Sequence, residues 1–260
     1  MQIELPLPDR GALWAFFLDV DGTLADIAPH PDAVAIADHA RDTLSRLAAA
    51  CGGAVALVSG RAIADIDRLF APLHLPVAGL HGIERRDAAG RISRAEVDAG
   101  RLQAARAGLA DFAADHPGAL VEDKGLSLAL HYRQAPGAEA GALALARELE
   151  SAAAGALVVQ RGKMVVELRP GGQDKGSAVA AFMAEPPFAG RRAVFVGDDV
   201  TDEAGFATIN AMDGISIRVG DGTPTQACYD GVSVADIHDW LAAAADRLGG
   251  GPAVPGNGGS

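Results

Sequence analysis

The run Phe16-Phe17-Leu18-Asp19-Val20-Asp21-Gly22-Thr23-Leu24 constrains this chain more than any other stretch, because a solidly apolar segment stops abruptly at two carboxylates. The residues before Asp19 are apolar on both faces, the pattern of a central parallel strand covered on both sides. Gly22 permits a sharp turn off the strand end. Open α/β sheets bind ligands in the crevice beyond the carboxyl ends of their strands, so Asp19 and Asp21 fall at a binding position. Asp and Gly are also common turn residues, and the run alone is equally a plain strand-to-turn junction. The rest of the chain weighs between the two.

Asp32 to Ala50 carries a helical apolar stripe (Val34, Ile36, Ala37, Ala40, Leu44, Leu47) closed by Gly52-Gly53. Ala54 to Val58 reads as a second buried strand ending at Ser59-Gly60-Arg61, Ala62 to Phe70 as a helix, and Val77 to Leu80 as a third strand. This βαβαβ alternation predicts a parallel sheet with crossover helices. The rhythm then changes. Ile83 to Ser93 reads as a hairpin turning at Asp87 to Gly90, followed by a helix up to about His116. Gly125 to Arg133 alternates, with Leu126, Leu128, Leu130 and Tyr132 on one face and Ser127, His131 and Arg133 on the other. A helix over 138–154 follows, and Lys163 to Arg169 alternates again, with Met164, Val166 and Leu168 inward and Lys163, Glu167 and Arg169 outward. From Asp174 the α/β rhythm returns: a helix from Lys175, a buried strand over 193–196 ending at Gly197-Asp198-Asp199, a short helix over 201–209, a strand over 215–219 and a helix over 234–248. The expected architecture is an α/β, Rossmann-like parallel-sheet core in two parts, 1–94 and 171–248, interrupted by an α+β insert over 95–170. The Gly/Pro-rich stretch 249–260 is expected to be a disordered tail.

Composition narrows the function classes. The 260 residues suffice for one large or two smaller domains, and the hydrophobic share of 49% supports a full core. A net charge of −12 argues against nucleic-acid or anionic-membrane partners. The N-terminus shows no basic segment followed by an apolar one, and no apolar run reaches the roughly 18 residues of a membrane span. Cys51 and Cys228 lack metal-ligand spacing and read as reduced thiols of a cytoplasmic protein.

Polar clusters end three core strands: Asp19/Asp21/Thr23, Ser59, and Asp198/Asp199/Asp202. Strand ends of one sheet converge, and several carboxylates brought together cannot all stay ionised without a cation. Mg²⁺, a hard ion that takes oxygen ligands, resolves this, and Lys175 after Gly-Gly-Gln-Asp adds a second positive charge. Such a pocket suits phosphoryl transfer, with one carboxylate attacking phosphorus and a second, two residues on, moving the proton. Against this stand blander readings: Lys175 as an exposed helix lysine, Ser59 as an N-cap, the polar strand faces of the insert as solvated surface, and His81 as a satisfied polar group.

Asp19-Val20-Asp21-Gly22-Thr23, Val58-Ser59-Gly60-Arg61, Lys175 and Gly197-Asp198-Asp199-Val200-Thr201-Asp202 resemble, in order, the four motifs of the haloacid dehalogenase superfamily. The insert resembles that superfamily's C2 cap. Within it and beside it, Gly79-Leu80-His81-Gly82, Glu122-Asp123-Lys124-Gly125, His131-Tyr132-Arg133 and Val166-Glu167-Leu168-Arg169-Pro170 are similar to the trehalose-6-phosphate phosphatases. The resemblance covers roughly residues 13 to 245. It implies Asp19 as nucleophile and Asp21 as general acid/base. It implies Mg²⁺ held by Asp19, Asp198 and the main-chain carbonyl of Asp21, with Asp202 in support and Asp199 less certain. Thr23, Ser59 and Lys175 would grip phosphate. Glu122, Lys124, Arg133, Lys163 and Glu167, with Arg61 and His131, would contact the sugar. The implied activity is Mg²⁺-dependent hydrolysis of trehalose 6-phosphate, a small-molecule sugar phosphate, in trehalose biosynthesis; the chain itself is expected to be a monomer, with weak oligomerisation as the alternative. The hinges would lie near 82–93 and 170–172. Rival readings are a phosphatase for another sugar phosphate (sucrose or glucosylglycerate phosphate), a phosphomutase, and a non-catalytic sugar-phosphate sensor.

Overall fold

The computed structural model describes residues 5–27, 33–162, 164–221 and 224–250. The core sheet holds β1 (Trp14–Leu18), β2 (Val55–Val58), β3 (Val77–Gly79), β4 (Glu84–Arg86), β5 (Ile92–Arg94), β10 (Arg192–Gly197), β11 (Ile215–Val219) and β12 (Tyr229–Val232). Their order is β12-β11-β10-β1-β2-β3-β4-β5, parallel from β12 to β3, with β4 and β5 added antiparallel. The remaining strands, β6 (Leu120–Asp123), β7 (Leu128–His131), β8 (Leu157–Gly162) and β9 (Val165–Pro170), form a separate antiparallel sheet in the order β6-β7-β9-β8.

Every residue of β1 is buried because consecutive side chains enter two different apolar layers. Phe16 meets Trp240 of helix α7 (Val234–Gly249) at a ring separation of 6.0 Å. Phe17 points the other way, stacking on Phe188 at 5.4 Å and touching Phe182 of helix α5 (Lys175–Met183) at 6.0 Å. Helix α1 (Asp38–Ala50) packs beside α7, and α6 (Glu203–Asn210) beside α5, so the sheet lies between two helical layers. Helix α2 (Ile63–Phe70) follows β2. Each buried Phe contributes about 1.5–3 kcal/mol relative to exposure.

In the second sheet, Leu128, Leu130 and Tyr132 of one chain segment and Val166 and Leu168 of β9 form a separate apolar cluster. Leu102 and Leu109 of α3 (Ala99–Asp115) and Ala142 and Ala146 of α4 (Glu139–Ala152) close over it. The opposite face keeps Glu122, Ala129, Glu167 and Gln160 in one cross-strand row.

Several boundaries differ from expectation. α1 begins at Asp38 after Ala37 in an extended conformation, so Val34 and Ile36 are buried from a non-helical segment, and Asp32 lies outside the described residues. The hairpin read over 83–93 is formed by strands over 84–86 and 92–94, which extend the core sheet within its expected first part, 1–94. α7 reaches Gly249, and residues 251–260 of the expected tail lie outside the described residues. β6, β8 and β12 have no counterpart in the sequence reading. All three are sheet edges, where one side of the strand lacks a neighbour and the apolar pattern is correspondingly diluted.

Candidate active site

Asp19 leaves β1, Ser59 leaves β2 and Asp198 leaves β10, and these three strands are adjacent. Parallel pairing brings their carboxyl ends together: Leu18 stands opposite both Val196 and Leu57, and Asp19 N–H donates to the Val196 carbonyl at 2.9 Å. Two glycines let the acidic loops close on one another. A Cβ on Gly22 (φ +85°) would stand 2.2 Å from an Asp198 carboxylate oxygen, and one on Gly197 would stand 2.3 Å from Asp202 Cγ.

Carboxylate oxygens of Asp19, Asp198 and Asp202 lie within 4.8 Å of one another. Lys175, first residue of α5, is buried among them, its Nζ 2.8 Å from Asp19 and 2.6 Å from Asp202. Asp202 uses its other oxygen to accept the N–H groups of Asp198 (3.0 Å) and Asp199 (2.9 Å). Thr23 Oγ1 approaches Asp198 at 3.5 Å. Burial pushes the Asp19 carboxyl well above the ordinary range; Lys175 pulls it back, and Asp202 and Asp198 raise it further. Asp198 is pushed up to about 6 by burial and by Asp202. Burial disfavours the Lys175 ammonium, but Asp19 and Asp202 together hold it charged, above its usual range. One ammonium against three carboxylates leaves a negative, all-oxygen site, which fits a hard divalent cation.

Arg61 binds Asp21 through two parallel bonds, Nε to Oδ2 and Nη2 to Oδ1, each 2.7 Å. Its backbone N–H donates to Ser59 Oγ at 3.1 Å.

The second sheet turns its polar face to this crevice. Lys124 Nζ lies 3.4 Å from the Gly60 carbonyl and 3.5 Å from Glu167 Oε2. Glu167 is buried, accepts from Ser127 Oγ at 2.7 Å, and faces His81 Nε2 of the core at 3.5 Å. Burial works against its charge, yet the His81 hydrogen bond, Lys124 and Ser127 outweigh it and hold its carboxyl down at about 2. His131 Nε2 pairs with Glu122 at 2.8 Å, which lowers the Glu122 carboxyl. Arg133 is exposed in the turn after β7. Lys163 lies outside the described residues. Asp199 caps the short helical turn over 200–202 instead of joining the cluster.

Two residues of this group, Ser127 and His81, were given no site role from sequence, His81 being read as a satisfied polar group. Ser127 orients Glu167, and its position on the polar face of an alternating strand was the available signal. His81 adopts a left-handed backbone (φ +56°), and its ring lies against Gly60. Nothing in the sequence marks such a conformation at a non-glycine residue.

Solved structures share this architecture. The C-terminal domain of Candida albicans trehalose-6-phosphate phosphatase superposes with a TM-score of 0.80 over 91% of this chain and 93% of that one, at 21% identity. A phosphatase of the haloalkanoate (HAD) enzyme superfamily from Bacteroides thetaiotaomicron superposes with a TM-score of 0.59 over 94% and 98%, at 16% identity. The chain shares the fold of these two structures. Sequence narrows it further: the trehalose-phosphatase family model matches residues 17–234. The trehalose-6-phosphate phosphatase of Escherichia coli (strain K12) is 44% identical over 234 residues, 90% of this chain and 87% of that protein. The chain belongs to the trehalose-phosphatase family and is a phosphoric monoester hydrolase. Among the described residues, no helix is long and apolar enough to cross a membrane.

Proposed function

We propose that the chain hydrolyses trehalose 6-phosphate to trehalose and inorganic phosphate, with Asp19 as nucleophile. The observation that carries this is the buried Asp19 carboxylate held 2.8 Å from Lys175 at the mouth of the central strand, two residues before Asp21. A carboxylate oxygen of Asp19 attacks phosphorus as the bond to the sugar oxygen breaks, and Asp21 delivers its proton to that oxygen. Asp21 then takes a proton from water, whose oxygen attacks the phosphorus of the aspartyl-phosphate and releases phosphate. Lys175, Thr23 and Ser59 hold the phosphoryl oxygens. Asp19, Asp198 and the Asp21 carbonyl would hold Mg²⁺, which supplies positive charge to the transferring group when bound. Asp202 orients Lys175 and the 198–199 backbone.

Residues 95–170 serve as a cap on a core formed by 1–94 and 171–248. The cap's polar face, with Glu122, Lys124, His131 and Glu167, offers the donors and acceptors that a disaccharide's hydroxyls require. Arg133 and Lys163 join them by family resemblance, whereas Arg61, a sugar contact by the same resemblance, binds Asp21. The free thiols of Cys51 and Cys228 fit a cytoplasmic location, where the chain acts as a monomer.

The test is phosphate release from a panel of sugar phosphates with Mg²⁺ and with chelator. Release from trehalose 6-phosphate alone, lost on chelation, supports the proposal. Equal release from many hexose phosphates overturns the substrate assignment, and release with chelator present overturns the Mg²⁺ requirement.

A further inference from the structure

The Asp21–Arg61 pair is asymmetric. Asp21 sits in the turn after β1 with its side chain 37% exposed, whereas the Arg61 side chain is 10% exposed. Arg61 is fixed from behind: its N–H donates to Ser59 Oγ at 3.1 Å and its carbonyl accepts Leu80 N–H at 2.9 Å. A planar guanidinium that bonds both oxygens fixes the rotation and the plane of a carboxylate, which a single point charge cannot do. Thus an anchored side chain from the neighbouring strand end dictates the orientation of a carboxylate on a more open turn.

We propose that Arg61 is a positioning residue for the acid–base carboxylate: it holds Asp21 in the orientation from which protons pass to the leaving oxygen and from water. This rests on the reading of Asp21 given above. It also separates Arg61 from the cap residues, since both its bonds to Asp21 are made to the machinery and not to a sugar site. Without the clamp, Asp21 rotates and the departing oxygen leaves with less proton assistance. The loss is large for a basic leaving group and small for one that departs readily unprotonated.

Two sugar-free probes read this directly. Phenyl phosphate has a basic leaving group and 4-nitrophenyl phosphate a weakly basic one, and kcat/KM reports transfer to the enzyme before water attacks. Arg61→Ala is expected to lose on the order of 10–100-fold on phenyl phosphate and less than about threefold on 4-nitrophenyl phosphate. Arg61→Lys recovers part of the phenyl phosphate activity. In an Asp21→Asn background, Arg61→Ala causes no further loss, because the two side chains act as one unit. Equal losses on both aryl phosphates, a multiplicative loss in the Asp21→Asn background, or a raised KM for trehalose 6-phosphate with both aryl phosphates unaffected would each overturn the proposal. Asp21→Asn alone is the control: if it fails to lose phenyl phosphate activity selectively, the reading of Asp21 falls, and the inference with it. If Asp21→Asn is selective and Arg61→Ala is not, only the inference falls.

Discussion

Lys175 Nζ lies 2.6 Å from Oδ1 of Asp202, and both side chains are shut off from water. Asp202 therefore does two things at once, since its second oxygen holds the 198–199 backbone. The acidic loop after β10 and the start of α5 are pinned through a single carboxylate.

Removing the ammonium leaves three neighbouring carboxylates without their cation. Lys175→Met is expected to destabilise the metal-free protein by about 3–5 kcal/mol, the usual cost of stranding buried charge. Mg²⁺ should restore part of that loss. Thermal melts with Mg²⁺ and with chelator check this, and an unchanged midpoint in chelator contradicts it.

Glu167 gives a pH signature. Its carboxyl is held at about 2, against an unfolded value near 4.5, so it stabilises the fold above the unfolded value and loses that contribution as pH falls through about 2. The stability gap between the wild type and Glu167→Gln should narrow by up to about 3 kcal/mol between pH 5 and pH 2. Urea midpoints across that window test it; a gap that stays constant contradicts the buried ionic cluster with His81 and Lys124.

Gly22→Ala should be among the most damaging small substitutions in the chain. Its φ of +85° disfavours any side chain, and the added methyl would meet Asp198 at 2.2 Å. Expected are a loss of at least about 1–3 kcal/mol in stability and a loss of Mg²⁺-induced stabilisation, both read by calorimetry with and without the metal.

These tests bear on positions the sequence made visible to different degrees. The buried strands β1, β2 and β10 were legible because core strands covered on both faces are continuous apolar runs, and the polar clusters that end them marked the crevice. β7 and β9 were legible because they are central strands with one polar face. The edge strands β6, β8 and β12 were not, since an unpaired side weakens the pattern. Spacing brought Asp19, Ser59, Lys175 and Asp198 to one crevice, but it could not tell Asp199 from Asp202. That choice depends on the loop path: Asp202 folds back onto Gly197 while Asp199 turns away as a cap. Nor could spacing reveal that Arg61 faces Asp21, because a side chain's direction off a strand-end loop is set by tertiary neighbours.

Lys124 tests the cap. It reaches both the Gly60 carbonyl and Glu167, so it spans core and insert. Lys124→Ala should raise KM for trehalose 6-phosphate about tenfold or more while leaving 4-nitrophenyl phosphate hydrolysis nearly unchanged. Steady-state kinetics on the two substrates decide it, and parallel losses on both would place Lys124 in the phosphate chemistry instead.

The most direct test of the account is to quench the enzyme in acid during turnover of trehalose 6-phosphate and weigh the peptide that contains Asp19. The account predicts a fraction of that peptide heavier by one phosphoryl group, absent in Asp19→Asn, which also releases no phosphate. Steady phosphate release by Asp19→Asn, or a phosphoryl group found on another residue, would contradict it.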